Sequence, residues 1–242
     1  MPRYYFTASD LFTHLPHRLQ KLVAKIEDHA ELRIEAVITD QKRMACEFGK
    51  GKAIILVPES GVPRKASVFH ELLHLGRYFV DGVPKLVYCD DEHEFEDEAD
   101  ARTQDRFGFL DNQIEHLFIV PRELARYRSE RRYWEERMGN LLAAPERSDC
   151  DVLLAWEFVR RVLKGGVLLD AAQAQVDQRG LAGACDRLHH AIDESKEAAT
   201  LYLFETVAPA YLPRACLDYF HQRHEIPLAS WEVKVKREIA EE

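Results

Sequence analysis

Apolar residues at Leu15, Leu19, Leu22, Val23 and Ile26 recur at the three-and-four spacing of one helix face and predict a helix over 15–29. Three short runs rich in β-branched and aliphatic residues, 32–39, 44–48 and 52–57, then read as strands. The Gly49-Lys50-Gly51 step between the last two supplies the positive φ of a hairpin turn. After a loop over 58–63, helical spacing returns over 66–80, with Phe69, Leu72, Leu73, Gly76 and Val80 on one face, and Asp81-Gly82 closes it. Leu110, Ile114, Leu117 and Phe118 mark a further helix, which Pro121 is expected to end or to follow with a new one over 122–138. Beyond Pro145 the pattern is helical over 152–163, 168–176, 181–192 and 197–207, and a tail over 231–239 fits strand or helix. The expected architecture is α+β: helices with a short β-sheet over 1–145, followed by a mainly helical region over 146–242.

Composition narrows this picture. Hydrophobic residues make up 46% of 242, enough for a packed core. The longest aliphatic run, 53–57, is far too short to span a bilayer, and the first thirteen residues lack the apolar stretch of a secretory signal. Five scattered cysteines without a CxxC pair fit a reducing compartment with free thiols, so a cytoplasmic location is expected. The net charge of -9 disfavours a general polyanion binder. Eight carboxylates crowd into residues 90–100 and read as a solvated loop.

The residues that carry chemistry are His70-Glu71-Leu72-Leu73-His74. Histidines four apart on a helix project from one side, so both imidazoles reach one ion. Zinc accepts neutral imidazole nitrogen, and a catalytic zinc takes three protein ligands and leaves its fourth place to water. Glu71, beside His70, is then placed to take that water's proton and hand it to a departing amine. Four downstream residues are candidates for the third ligand: Glu115, the leading one, on the helix next to Ile114; Glu96 in the acidic run; and His116 or Asp111. Asp111, one turn before Glu115, is also suited to orient a ligand.

This pattern resembles the ImmA/IrrE family of HExxH metallopeptidases. The likeness runs from about Leu15 to Glu123 and covers the early helix, the small sheet, the basic Arg64-Lys65 step, the run Ser67-Val68-Phe69-His70-Glu71-Leu72-Leu73-His74 and the helix ending Ile114-Glu115-His116-Leu117-Phe118-Ile119-Val120-Pro121. Where the family usually carries its glutamate ligand this chain has Gly108, while Glu96-Asp97-Glu98-Ala99 is similar to the family's glutamate-then-alanine signature. The resemblance implies a zincin-like domain holding Zn2+ and a bacterial regulatory endopeptidase that cuts helix-turn-helix repressors of stress, phage or mobile-element genes.

Weaker signals are read conservatively. Cys89, in the loop between the two ligand-bearing helices, is a possible thiolate cap on the zinc, although a lone cysteine is more often a small buried side chain. His221 and His224 are three apart, and His189-His190 has no ligand spacing. Six arginines interleaved with aromatics over 122–137 suggest nucleic acid, but four glutamates on the same stretch favour ion pairs within the helix. The expected function is therefore a zinc-dependent endopeptidase, with a water activated at the ion attacking the peptide carbonyl and Glu71 as general base. Its expected partner is a protein substrate such as a co-encoded DNA-binding repressor, rather than nucleic acid or membrane. The competing readings are a catalytically idle zincin that binds a partner protein, and a zinc hydrolase of a non-peptide amide.

Overall fold

The structure, a computed structural model, describes residues 5–7, 15–49, 51–59, 63–89, 98–145, 147–220 and 224–231. The chain divides into two compact units, Met1–Val83 with Tyr219–His224, and Pro84–Asp218 with Glu225–Glu242. The class is α+β, with a mainly helical C-terminal part. The division near 145 expected from the sequence falls inside the second unit.

The first unit is built on a four-stranded sheet in the order β1-β2-β4-β3, formed by β1 (Tyr5–Thr7), β2 (Ile34–Thr39), β3 (Ala45–Gly49) and β4 (Lys52–Pro58). The β3–β4 pair is antiparallel and closes through Gly51 at φ 75, the left-handed conformation anticipated for this turn. β2 and β4 run parallel with Ile34 opposite Ala53, so β4 is central and has a continuous buried run from Ala53 to Val57. Helices α1 (His17–Ala30) and α2 (Lys65–Phe79) belong to the same unit, α1 burying Leu19, Val23 and Ile26 at the predicted spacing. Phe48, Tyr78, Phe79 and Phe220 form an aromatic cluster in which Phe48 and Tyr78 have ring centroids 4.6 Å apart.

The second unit holds β5 (Lys85–Tyr88), the long α3 (Glu98–Arg126), α4 (Arg131–Ala143), α5 (Asp149–Phe158), α6 (Val167–Gln178), α7 (Ala182–Glu194), α8 (Lys196–Val207) and, but for Tyr219 and His224, the strands β6 (Ala215–Tyr219) and β7 (His224–Pro227). The three strands form a sheet in the order β5-β6-β7 that the hydrophobic pattern did not announce. Pro121 neither ends α3 nor begins a new helix; it lies inside a helix that continues to Arg126. Its ring removes one backbone donor, but Ile119 and Val120 beside it are fully buried, and that apolar burial offsets the lost bond. The next helix starts at Arg131, after a 3-10 turn over Arg128–Glu130. The Arg131–Glu135 and Arg132–Glu136 pairs, one helical turn apart, show the arginine-rich stretch to be partly self-neutralised. Ser148 and Asp151 cap α5 reciprocally, with Ser148 Oγ accepting from the Asp151 amide at 3.2 Å. Among the described residues no helix is long and apolar enough to cross a membrane. Glu96, His221 and the tail beyond 231 lie outside the described residues.

The strongest constraint in this unit is ionic. Lys196 opens α8 with only 2% of its surface exposed, and its Nζ lies 2.8 Å from Asp111 Oδ1 and 3.1 Å from Glu115 Oε2, both on α3. Asp111 Oδ1 also accepts from the Leu86 amide of β5 at 2.8 Å. One ammonium thereby ties α8 to two carboxylates a helical turn apart on α3, and α3 in turn holds β5. Lys196→Met should leave the two carboxylates without their buried counter-charge and lower unfolding stability by about 3–5 kcal/mol. Lys196→Met combined with Asp111→Asn and Glu115→Gln should recover much of it. Urea unfolding followed by circular dichroism measures both, and a loss below about 1 kcal/mol in the single variant contradicts a structural role.

Candidate metal centre

Helix α2 is buried nearly all round from Val68 to Leu75, which is unusual company for Glu71 and His74, 7% and 6% exposed respectively. Polar groups in such surroundings are retained at a cost unless they have partners or a task. His70, half-buried, sits one turn before His74, and the two rings meet edge to face with centroids 4.9 Å apart. The i,i+4 spacing therefore does what the sequence suggests and brings both imidazoles to one side of the helix.

His70 and His74 offer two imidazole donors from one face of α2. A catalytic zinc takes a third protein ligand beside such a pair. Imidazole donors suit zinc and other borderline first-row ions, and they disfavour calcium or magnesium, which need oxygen.

His116 is 4% exposed and packs edge to face on Trp134 of α4, with centroids 4.9 Å apart. Trp134 is itself anchored, its Nε1 donating to Glu123 Oε2 at 3.1 Å and its ring resting 5.4 Å from that of Phe158. These contacts fix the orientation of the His116 ring.

Glu115, the leading candidate in the sequence, is fully buried, with its Oε2 3.1 Å from Lys196 Nζ. Successive helical residues point about 100° apart, so His116 leaves α3 on a different side from Glu115. Asp111 is likewise held by Lys196 and the Leu86 amide. Glu96 lies outside the described residues. His116 was legible as a candidate only because it is an imidazole beside a periodic apolar position; nothing in the sequence announces the buried lysine that claims its neighbour.

Cys89 is not a free thiol poised over a metal, because it forms a disulfide with Cys216, their Cα atoms 5.6 Å apart. The expectation of free thiols throughout is corrected at this pair, which a separation of 127 residues concealed. Cys46, Cys150 and Cys185 form no disulfide. Burial pushes the Cys150 and Cys185 thiols up to about 12, so they stay protonated and are poor ligands and nucleophiles. His189 serves a structural pair, its Nδ1 lying 2.8 Å from the fully buried Glu157, whose carboxyl burial pushes upward.

No family model, no curated protein and no solved structure matches the chain. The donor set itself must carry the assignment, and it makes a ranking. His70→Ala, His74→Ala and His116→Ala should each lower zinc affinity by at least about a hundredfold, whereas Glu115→Gln should lower it by less than about tenfold. Competition with a chromophoric chelator reads the affinities, and a Glu115→Gln loss as large as that of His116→Ala contradicts the triad.

Proposed function

We propose that this chain is a zinc-dependent endopeptidase in which His70, His74 and His116 hold the ion and Glu71 is the general base. The observation that carries the reading is the pair of imidazoles one turn apart on α2, with the buried Glu71 carboxylate next to one of them in sequence. When bound, zinc supplies a Lewis acid that polarises a carbonyl and brings a water's pKa toward neutrality.

The protein's own residues do the rest. Glu71 accepts the proton of the attacking water and returns it to the amine nitrogen as the peptide bond breaks, so the carboxylate ends the cycle as it began. The apolar Phe69, Leu72 and Leu73 around it are nearly fully buried and keep the surroundings dry, which strengthens every electrostatic interaction made there. Trp134 restricts the His116 ring and limits the reorganisation needed as the reaction proceeds. An intact Glu71 favours an enzyme over an idle scaffold, which has no use for a proton acceptor buried beside the ligand pair.

In keeping with the resemblance, the substrate is a protein cut at an extended linker, and a co-encoded helix-turn-helix repressor is the natural target. The site of action is the cytoplasm, whose reducing poise agrees with Cys46, Cys150 and Cys185 staying outside disulfides and would act on the Cys89–Cys216 bond.

Glu71→Gln removes the proton acceptor while leaving all three imidazoles. It should keep about one zinc per chain and lose kcat by at least about a thousandfold on any peptide the wild type cleaves, without a matching rise in KM. Metal analysis and peptide cleavage read by mass spectrometry measure the two quantities. A zinc-loaded Glu71→Gln protein that turns over normally would overthrow the assigned base.

A further inference from the structure

Helices α3, α4 and α5 of the second unit surround a cavity of about 290 Å³. Phe109, Met138, Leu141, Leu154 and Phe158 give it a mostly apolar wall, and the whole lining belongs to that one unit. Phe109 is 45% exposed, so a large hydrophobic side chain of this wall stays in contact with solvent. A water molecule takes about 30 Å³ of liquid, which gives the cavity room for roughly ten non-hydrogen atoms. That is too little for a nucleotide or a folded segment, and enough for a short hydrocarbon chain or one substituted ring.

The charge of the lining narrows the occupant further. Among the described residues the lining includes one guanidinium, that of Arg137, and no carboxylate. Earlier arginines of α4 are matched one turn on, Arg131 by Glu135 and Arg132 by Glu136. Arg137 has no such match, because Tyr133, Trp134, Asn140 and Leu141 hold the positions three and four residues to either side. Its contacts are neutral: Nη1 donates to Tyr133 Oη at 3.3 Å, and the guanidinium lies over the Trp134 ring, 5.4 Å from its centroid. A phenol oxygen takes one donor of five and the ring offers no acceptor atom, so donors remain for both oxygens of a carboxylate.

We propose that the α3–α4–α5 cavity is a binding site for a small monocarboxylate with an apolar body. The carboxylate pairs with the half-buried Arg137, and the hydrocarbon fills the space between Phe109, Met138, Leu141, Leu154 and Phe158. A neutral apolar molecule would cover a guanidinium without answering its charge, and a cation would be repelled by it. A second anionic group on the ligand would have to enter the apolar wall without a partner. The site needs no metal, and it stands apart from the peptidase reading.

Titration calorimetry of the full chain with octanoate, octanamide, octylammonium and acetate separates the two parts of the site. A chelator is kept present so that no metal holds the carboxylate. Octanoate should bind at least about tenfold more tightly than each of the other three. Arg137→Gln keeps a polar side chain and loses the charge, and it should bring octanoate to within about twofold of octanamide. Leu141→Trp, which fills the cavity from a half-buried position, should weaken octanoate at least about tenfold, and Leu141→Phe should weaken it partway should the larger substitution fail to fold. Equal affinities for octanoate and octanamide in the wild type, or an octanoate affinity unchanged by Arg137→Gln, would overturn the carboxylate site. Octanoate that binds no more tightly than acetate, or not at all, would overturn the cavity as its seat.

Discussion

A buried ammonium between two carboxylates sets the geometry of the second unit. Lys196 is a residue that rarely goes inside, because removing an ammonium from water costs several kcal/mol unless its partners are close. Here they are, at 2.8 and 3.1 Å, and both belong to one face of α3. The arrangement is selective about rotation. If α3 turned about its axis by one residue, Asp111 and Glu115 would both leave the ammonium, and the charge would be stranded in the core. Fixing Glu115 in this way also fixes His116, roughly 100° around the helix, against Trp134. The imidazole thus gains its orientation from an ion triad on the adjacent residues and from an aromatic wall.

The same logic separates what was legible in the sequence from what was not. The helices α1 and α2 and the strands β2 to β4 follow local rules, with spacing of three and four or alternating and continuous apolar runs, and they form where the pattern puts them. The HExxH pair depends on a single helical turn, so its convergence is equally local. The sheet β5-β6-β7 is different. β5 has four residues and its partner β6 lies more than a hundred positions away, so no window of sequence contains the pair. Pro121 inside α3 shows tertiary burial overriding a local stop signal.

The sequence leaves the third ligand undecided for a sharper reason. Glu115 and His116 are neighbours, and both residue types are good metal ligands, so the choice depends on rotational phase. That phase is set by Lys196, eighty residues downstream, which in sequence looks like an ordinary solvated cation at the start of a helix. The Cys89–Cys216 bond is hidden for a related reason: it lies where β5 and β6 pair, with Val87 opposite Cys216 and the Cys89 amide donating to Arg214 at 2.8 Å. It adds a covalent tie to a sheet edge whose strands are too short to hold on their hydrogen bonds alone.

We propose a metal centre made only of imidazoles, with Glu71 kept for proton transfer. X-ray absorption at the zinc edge of the metal-loaded full chain tests this most directly, because sulfur scatters differently from nitrogen and imidazole carbons give their own outer-shell signature. The account predicts about three imidazole nitrogens at roughly 2.0–2.1 Å with one further light atom and no sulfur. Two imidazoles with a carboxylate in the third place, or a sulfur at about 2.3 Å, would contradict it.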